Sequence, residues 1–135
     1  MSKINSVNDF SMVAFKANDV KIAVASSSQQ SKIEHLLKLA GLYDKFDFMI
    51  SGENLTRGKP APDIFLKAAS SIGVDPEDCY VLEDGLNGLR AGIAAGCATI
   101  MVIDLTEPND FVRENCVGIY NSLLEVRDAI SAGDI

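Results

Sequence analysis

The stretch VKIAVASSSQQSKIEHLLKLAG, residues 20–41, contains the structural unit that decides the fold. Its first six residues are apolar apart from one lysine, which predicts a buried strand. Three serines follow, and apolar residues then recur at helical spacing as far as Gly41, where a glycine is expected to end the helix. Residues 20–41 therefore predict one strand–loop–helix unit.

The same order of elements recurs along the chain. Apolar stretches at 46–51, 79–82 and 98–103 predict further strands, and helical spacing predicts helices over 63–72 and 87–95. Strands that alternate with short helices over short connections are typical of a parallel sheet covered on both faces. We therefore predict an α/β fold with three layers.

The two ends of the chain carry weaker patterns. Residues 118–120 predict a short strand, and Ser122 is expected to cap a final amphipathic helix. Residues 1–19 are weakly determined, although the apolar residues within 10–15 predict a short helix. The length of 135 residues predicts a single domain.

Composition excludes several classes of function. The net charge is −7 and the basic residues are scattered, so no basic stripe is present to bind nucleic acid. The longest apolar run, 98–103, is far shorter than the roughly 20 residues that a membrane helix needs, and the N-terminus has no signal-peptide core. We expect a soluble, cytoplasmic protein that binds neither nucleic acid nor a membrane.

The cysteines and the histidine do not indicate catalysis. Cys79, Cys97 and Cys116 are widely spaced in apolar surroundings, which predicts reduced thiols rather than a zinc site or disulfides. His35 is the single histidine and lies within a predicted helix, so we interpret it as a solvated helix residue rather than a catalytic base.

The predicted strands end in residues suited to an anionic ligand. Ligands collect beyond the carboxyl ends of parallel strands, where helix N-termini also point. The serines at 26–28 end the first strand and can bind an anionic oxygen, although such serines are equally typical of a helix N-cap. Lys59 follows the second strand in the loop GKPAPD, 58–63, whose two prolines stiffen its approach. A lysine held in this way presents a point charge to a phosphoryl group.

Glu83 and Asp84 end the third strand. Adjacent carboxylates repel each other unless a cation is present, and Mg²⁺ binds one or two carboxylates together with water and substrate phosphate. The pair therefore predicts a magnesium site, and the alternative is a solvated acidic turn in which Asp84 caps the next helix. The glycines at Gly85, Gly88 and Gly92 do not match a dinucleotide fingerprint.

In this order, these motifs resemble the haloacid dehalogenase superfamily, especially its β-phosphoglucomutase-like branch. The match covers roughly residues 20–103 and rests on GKPAPDIF, 58–65, and VLEDGLNG, 81–88. The resemblance implies a three-layer Rossmann-like core from a Mg²⁺-dependent phosphatase or phosphomutase that acts on small phosphorylated metabolites, with sugar phosphates as the expected class. It implies phosphate binding by Ser26, Ser27 and Lys59, a catalytic role for Lys59, magnesium binding by Glu83 and Asp84, and substrate contacts by Ser28 and Gln29.

The resemblance also implies parts that this sequence lacks. Family members attack phosphorus with an aspartate on the central strand, within an Asp-x-Asp motif, but no Asp-x-Asp occurs here and the helical cap is absent. Asp104, in the run Asp-Leu-Thr, is the nearest candidate, although its strand would place it beside Glu83 and Asp84. We expect the isolated chain to be inactive or nearly so. The alternative is a protein that has lost catalysis and binds phosphate or another protein.

A missing first strand is expected to leave a gap in the sheet, with unpaired N–H and C=O groups on its neighbours. Residues 3–7 are a poor substitute because only Ile4 and Val7 are apolar. Three outcomes are open: the sheet closes directly, another copy supplies a strand by self-association, or an N-terminal piece is missing from the chain.

Overall fold

The computed structural model of the protein describes residues 10–16, 20–103 and 106–135. Over these residues the chain forms six strands and five α-helices. The strands are β1 (Ser11–Lys16), β2 (Val20–Ser26), β3 (Phe48–Ser51), β4 (Cys79–Glu83), β5 (Ala98–Val102) and β6 (Gly118–Tyr120). The helices are α1 (Gln30–Leu39), α2 (Asp63–Ile72), α3 (Leu86–Ala94), α4 (Asp110–Asn115) and α5 (Leu123–Ala132).

The strands form one sheet in the order β3-β2-β1-β4-β5-β6. The pairs β2–β3, β4–β5 and β5–β6 are parallel, whereas β1 is antiparallel to both of its neighbours. The predicted α/β class and mainly parallel sheet are therefore confirmed. The carboxyl ends of β2, β3 and β4 lie at one edge, and because β1 runs in the opposite direction, its first residue lies there too.

β1 fills the centre of the sheet, where the sequence predicts a gap. Val13 pairs with Ala23 of β2 and with Val81 of β4. The helix predicted within residues 10–15 is therefore wrong. Successive side chains of β1 are buried on opposite faces of the sheet, and both neighbouring strands gain hydrogen-bond partners that a helix would not supply. The expected gap is closed within the chain, so it no longer provides a reason for self-association, which stays a prediction.

Helices cover both faces of the sheet, as predicted. On one face, α2 and α3 pack over the core that contains Phe65 and Val81. On the other face, α1 and α5 pack through Ile33 and Ile130. Each of these four side chains is no more than 1% exposed. The three-layer arrangement therefore holds the carboxyl edge of the central strands in a fixed position.

Local signals explain most of the helix boundaries. The helix predicted over 63–72 is α2, and it ends at Gly73, whose φ of 74° is left-handed and suits a residue without a Cβ. Ser122 accepts a hydrogen bond from the Glu125 N–H and caps α5, as predicted. The helix α4 was not predicted, although Asn109 caps it in the same way. No α-helix within the described ranges is long and apolar enough to cross a membrane.

The cysteines lie in the protein interior. Cys79 and Cys97 are buried and Cys116 is half-buried, and all three are free thiols, as predicted. Burial raises the pKa of Cys79 to about 11, with a further contribution from Asp78. Burial also raises the pKa of Cys97 to about 12. Both groups are therefore neutral in the folded protein at physiological pH.

Alkaline pH should destabilise the fold through these two thiols. The pKa values of both thiols in the folded state lie above the ordinary value of 9.0. The contribution of each neutral thiol to the free energy of unfolding is therefore complete below pH 9.0, and it is lost as the pH rises toward the folded-state values. Between about pH 8 and about pH 10.5 we expect each thiol to contribute a loss on the order of 1–2 kcal/mol. Urea unfolding at both pH values measures the loss. A Cys79→Ala/Cys97→Ala variant that loses as much stability as the wild type would contradict the assignment.

Candidate functional site

A cavity of about 550 Å³ opens at the carboxyl edge of the sheet. Five segments line it: the loop after β2, the loop after β3, the first turn of α2, the end of β4 and the N-terminal end of α3. The residues that line it are Ser27, Gly52, Glu53, Leu55, Arg57, Gly58, Lys59, Ile64, Glu83, Gly85, Leu86, Asn87 and Gly88. The structure therefore brings the predicted Ser27, Lys59 and Glu83 together, and we call this cavity the edge pocket.

A second cavity, of about 360 Å³, lies on the sheet face beside α5. Its floor is apolar and includes Met12, Ile22 and Leu82, with α5 contributing Leu123 and Ile130. It lies away from the residues that the sequence predicts for phosphate binding. The edge pocket is therefore the candidate functional site.

Lys59 and Glu83 face each other across a buried hydroxyl group. The Lys59 Nζ donates to Ser11 Oγ at 2.6 Å, and Ser11 Oγ donates to Glu83 Oε2. The Lys59 Nζ and Glu83 Oε2 atoms are 3.6 Å apart, and the two side chains are 18% and 12% exposed. Both side chains line the edge pocket, and their bonds to Ser11 hold them against the end of the sheet.

The glycines after β4 make room for Glu83. A Cβ at Gly88 would lie 2.3 Å from Glu83 Cγ, which is closer than two carbon atoms can approach. The Gly85 N–H also donates to Glu83 Oε1, at 3.4 Å. Residues 85–88 therefore hold the Glu83 carboxylate through close packing at Gly88 and a hydrogen bond from the Gly85 N–H.

The N-terminus of α3 opens into the edge pocket. The N-cap residue is Gly85, which has no side chain to cap the helix. The first N–H groups of a helix have no partner within it, and they carry the positive end of the helix dipole. Since Leu86, Asn87 and Gly88 line the pocket, this helix end is placed to bind an anion there.

Asp84 does not line the edge pocket, unlike its neighbour Glu83. It is 8% exposed, and its Oδ1 accepts a hydrogen bond from the Thr106 N–H at 3.3 Å. The N-cap residue of α3 is Gly85, so Asp84 does not occupy the cap position that the alternative interpretation gives it. Asp104, the other candidate aspartate, lies outside the described residues.

The serines after β2 form a turn rather than a helix cap. Ser26 is buried, and its Oγ accepts a hydrogen bond from the Ser28 N–H at 3.1 Å. The Ser28 carbonyl in turn accepts one from the Ser51 hydroxyl, at 2.5 Å. The N-cap of α1 is Gln29, which makes no side-chain cap, so the N-cap interpretation of the serines is wrong. Only Ser27 of the residues 26–29 lines the edge pocket, and the roles predicted for the others stay predictions.

Arg57 and Ser11, which were not predicted, bring a charged group and a hydroxyl group to the site. Arg57 lines the pocket and forms two hydrogen bonds with Asp63, at 2.6 and 3.2 Å, and its position two residues before Lys59 was an available signal. Ser11 had no such signal, because its place depends on the pairing of β1 with strands that lie far away in the sequence. Its contact with both Lys59 and Glu83 is visible only in the fold.

The magnesium prediction has the right donor chemistry and an incomplete ligand set. Carboxylate oxygens suit Mg²⁺, which needs few protein ligands when phosphate and water complete its shell. Glu83 and Asp84 can supply two, but Glu83 is already bonded to Ser11, and Asp84 to the Thr106 N–H. Among the described residues, no group of three or more His, Cys, Asp or Glu side chains is arranged to hold a metal ion.

Comparison with known proteins finds phosphatases that are similar to this chain. Bifunctional riboflavin kinase/FMN phosphatase of Arabidopsis thaliana is 36% identical over 113 residues, which covers 83% of this chain and 30% of that protein. Hexitol phosphatase B of Escherichia coli (strain K12) is 37% identical over 95 residues, which covers 70% of this chain and 43% of that protein. This chain therefore spans less than half the length of these relatives.

A solved structure shares the fold. It is a HAD family hydrolase from Deinococcus radiodurans R1, with bound phosphate and sodium. Its TM-score is 0.68 at 28% identity, over 81% of this chain and 51% of that one. The family model of the haloacid dehalogenase-like hydrolases matches residues 12–96, well over half of the sequence. The chain therefore belongs to the haloacid dehalogenase-like hydrolases.

Proposed function

We propose that this chain carries the phosphate-binding part of a phosphatase or phosphomutase that acts on small phosphorylated metabolites. One observation carries the proposal: the Lys59 ammonium and the N-terminus of α3 converge on the same pocket. Both are groups that bind phosphate. Sugar phosphates are the proposed substrate class, and the similarity to a hexitol phosphatase supports it.

Phosphate binding in the edge pocket would rely on directed donors rather than on net charge. Arg57 and Lys59 contribute positive charge, and Glu53 and Glu83 contribute negative charge. Arg57 is already paired with Asp63. We therefore assign phosphate to the Lys59 ammonium and the first-turn N–H groups of α3, together with Ser27.

The sequence contains no Asp-x-Asp motif to supply the attacking group of catalysis. In phosphoryl transfer the protein mainly positions the reactants and neutralises charge around an in-line attack. Lys59 is placed to neutralise phosphoryl charge, but the strand at the centre of the sheet brings Ser11 to the edge, with 1% exposure, rather than an accessible aspartate. We expect the isolated chain to bind phosphate without hydrolysing phosphomonoesters.

Two assays test this proposal together. Isothermal titration calorimetry with inorganic phosphate should show saturable binding to one site, and p-nitrophenyl phosphate with Mg²⁺ should show no turnover above the buffer. Absence of phosphate binding would overturn the proposed site. Robust Mg²⁺-dependent turnover would overturn the inactivity and would require an attacking group outside the residues described.

Magnesium would bind through Glu83 and Asp84 and would supply charge neutralisation to the phosphoryl group. Because these carboxylates are already hydrogen-bonded, we expect weak binding, with a melting temperature about 3 °C higher in Mg²⁺ and phosphate than in phosphate alone. Asp84→Asn should remove this increase, since the amide keeps the acceptor for the Thr106 N–H but loses the charge. Differential scanning fluorimetry measures the change.

The matched control for the magnesium prediction is Asp75→Asn, at an exposed position far from the edge pocket. It should keep the full increase in melting temperature. An increase that Asp84→Asn and Asp75→Asn retain equally would exclude Asp84 as a ligand.

A second candidate function is phosphate binding without chemistry. The observation that favours it is β1, which completes the sheet without bringing an aspartate to its carboxyl edge. The direct discriminator is the DNA upstream of the first codon, where an in-frame Asp-x-Asp would favour the enzyme and a close stop codon would favour the binding protein.

A further inference from the structure

Ser11 lies between the two charged groups that the proposed phosphate site brings together. Its hydroxyl accepts a hydrogen bond from Lys59 and donates one to Glu83. A hydroxyl group can do both at once, so it links the ammonium to the carboxylate. Nothing in the proposed binding of phosphate uses this residue directly.

The ion pair of the two charged groups is longer than a direct hydrogen bond. The Lys59 Nζ and Glu83 Oε2 atoms are 3.6 Å apart. A direct charge-assisted hydrogen bond between such groups is about 2.8 Å long. Ser11 therefore stands where the two side chains would otherwise close on each other. Since a lysine ammonium has three N–H donors, the bond to Ser11 leaves donors for a ligand.

Backbone pairing holds Ser11 in this place. It is the first residue of β1, it pairs with Ala25 of β2, and it is 1% exposed. The serine is therefore enclosed by the sheet and does not line the edge pocket. This enclosure excludes direct contact with a substrate and leaves an indirect role, through the two charged side chains.

We propose that Ser11 is a positioning residue that prevents the ion pair of Lys59 and Glu83 from closing to direct hydrogen-bond distance, so that the Lys59 ammonium stays available to phosphate. This inference rests on the proposed phosphate site. It adds a reason why the pocket binds an anion although a carboxylate lies beside its lysine.

A double-mutant cycle tests the proposal by measuring the affinity for inorganic phosphate of the wild type, Ser11→Ala, Glu83→Gln and the double variant. Ser11→Ala should weaken phosphate binding about fivefold to tenfold, because the ion pair then closes. With Glu83→Gln no ion pair can form, so adding Ser11→Ala should change the affinity less than about twofold. Thr99→Val, in β5, is the control. It removes another buried hydroxyl, which donates to the Cys97 carbonyl, and it should leave the affinity for phosphate unchanged.

The outcomes separate this inference from the proposed function. No phosphate binding by the wild type would overturn the proposed site itself. Wild-type binding with an equal loss from Ser11→Ala in both backgrounds, or with no loss in either, would overturn only the role of Ser11. A nuclear Overhauser contact between the Lys59 Hε and Ser11 Hβ protons is expected in the wild type, so its absence would overturn the role without relying on any variant.

Discussion

Val13→Asp should remove a large part of the protein's stability. Val13 lies in the middle of β1, is 1% exposed and packs into the core beneath α2 and α3. The substitution removes apolar contacts and either buries a carboxylate or holds it neutral, at a combined cost of about 4 kcal/mol or more. Domains of this size are typically stable by only about 5–15 kcal/mol. Urea unfolding followed by circular dichroism measures the loss.

Leu124→Asp is the matched control, because it introduces the same carboxylate in place of an apolar residue that is 61% exposed. It should change the free energy of unfolding by less than about 1 kcal/mol. The comparison tests the position of β1 directly. If Val13→Asp were as harmless as Leu124→Asp, β1 would not lie at the centre of the sheet.

Lys59→Gln should lower the affinity for inorganic phosphate by about 10- to 100-fold. The substitution keeps a polar side chain but removes the ammonium, and a hydrogen bond to a charged group typically contributes about 1.5–3 kcal/mol. Calorimetric titration at moderate ionic strength measures the change. The fold should survive, because Glu83 keeps its hydrogen bonds to Ser11 and to the Gly85 N–H.

Lys38→Gln is the control for charge, since it removes one positive charge from the exposed last turn of α1. Exposed charges far from a site are largely screened by salt, so we expect less than about a twofold change in phosphate affinity. Similar losses for both lysine variants would mean that phosphate responds to net charge rather than to the edge pocket.

The parts of the fold with strong local signals were predictable. α2 has apolar residues at helical spacing, with Pro62 before it and Gly73 after it, and both of its bounds were predicted. β1 was not predictable in this way. Its apolar residues follow one another without a clear period, and its structure is imposed by pairing with β2 and with β4, which lies more than 60 residues away in the sequence.

The site was predictable where it depends on the ends of parallel strands. Lys59 lies in the loop after β3 and Glu83 ends β4, at the same edge of the sheet. The structure places both in the edge pocket. Asp84 differs because successive residues at the end of a strand point in opposite directions, and the sequence does not say which of the two faces the pocket. Ser11 reaches the site only because β1 runs antiparallel to its neighbours, which no local pattern indicates.

Titration of isotopically labelled wild-type chain with inorganic phosphate, followed by ¹H–¹⁵N correlation spectra, tests most directly whether the edge pocket binds phosphate. We predict saturable shifts of the backbone amides of Ser27, Gly58, Lys59, Leu86, Asn87 and Gly88, with little change around the apolar cavity beside α5. The absence of saturable shifts in the edge pocket, or shifts confined to residues beside α5, would contradict the account.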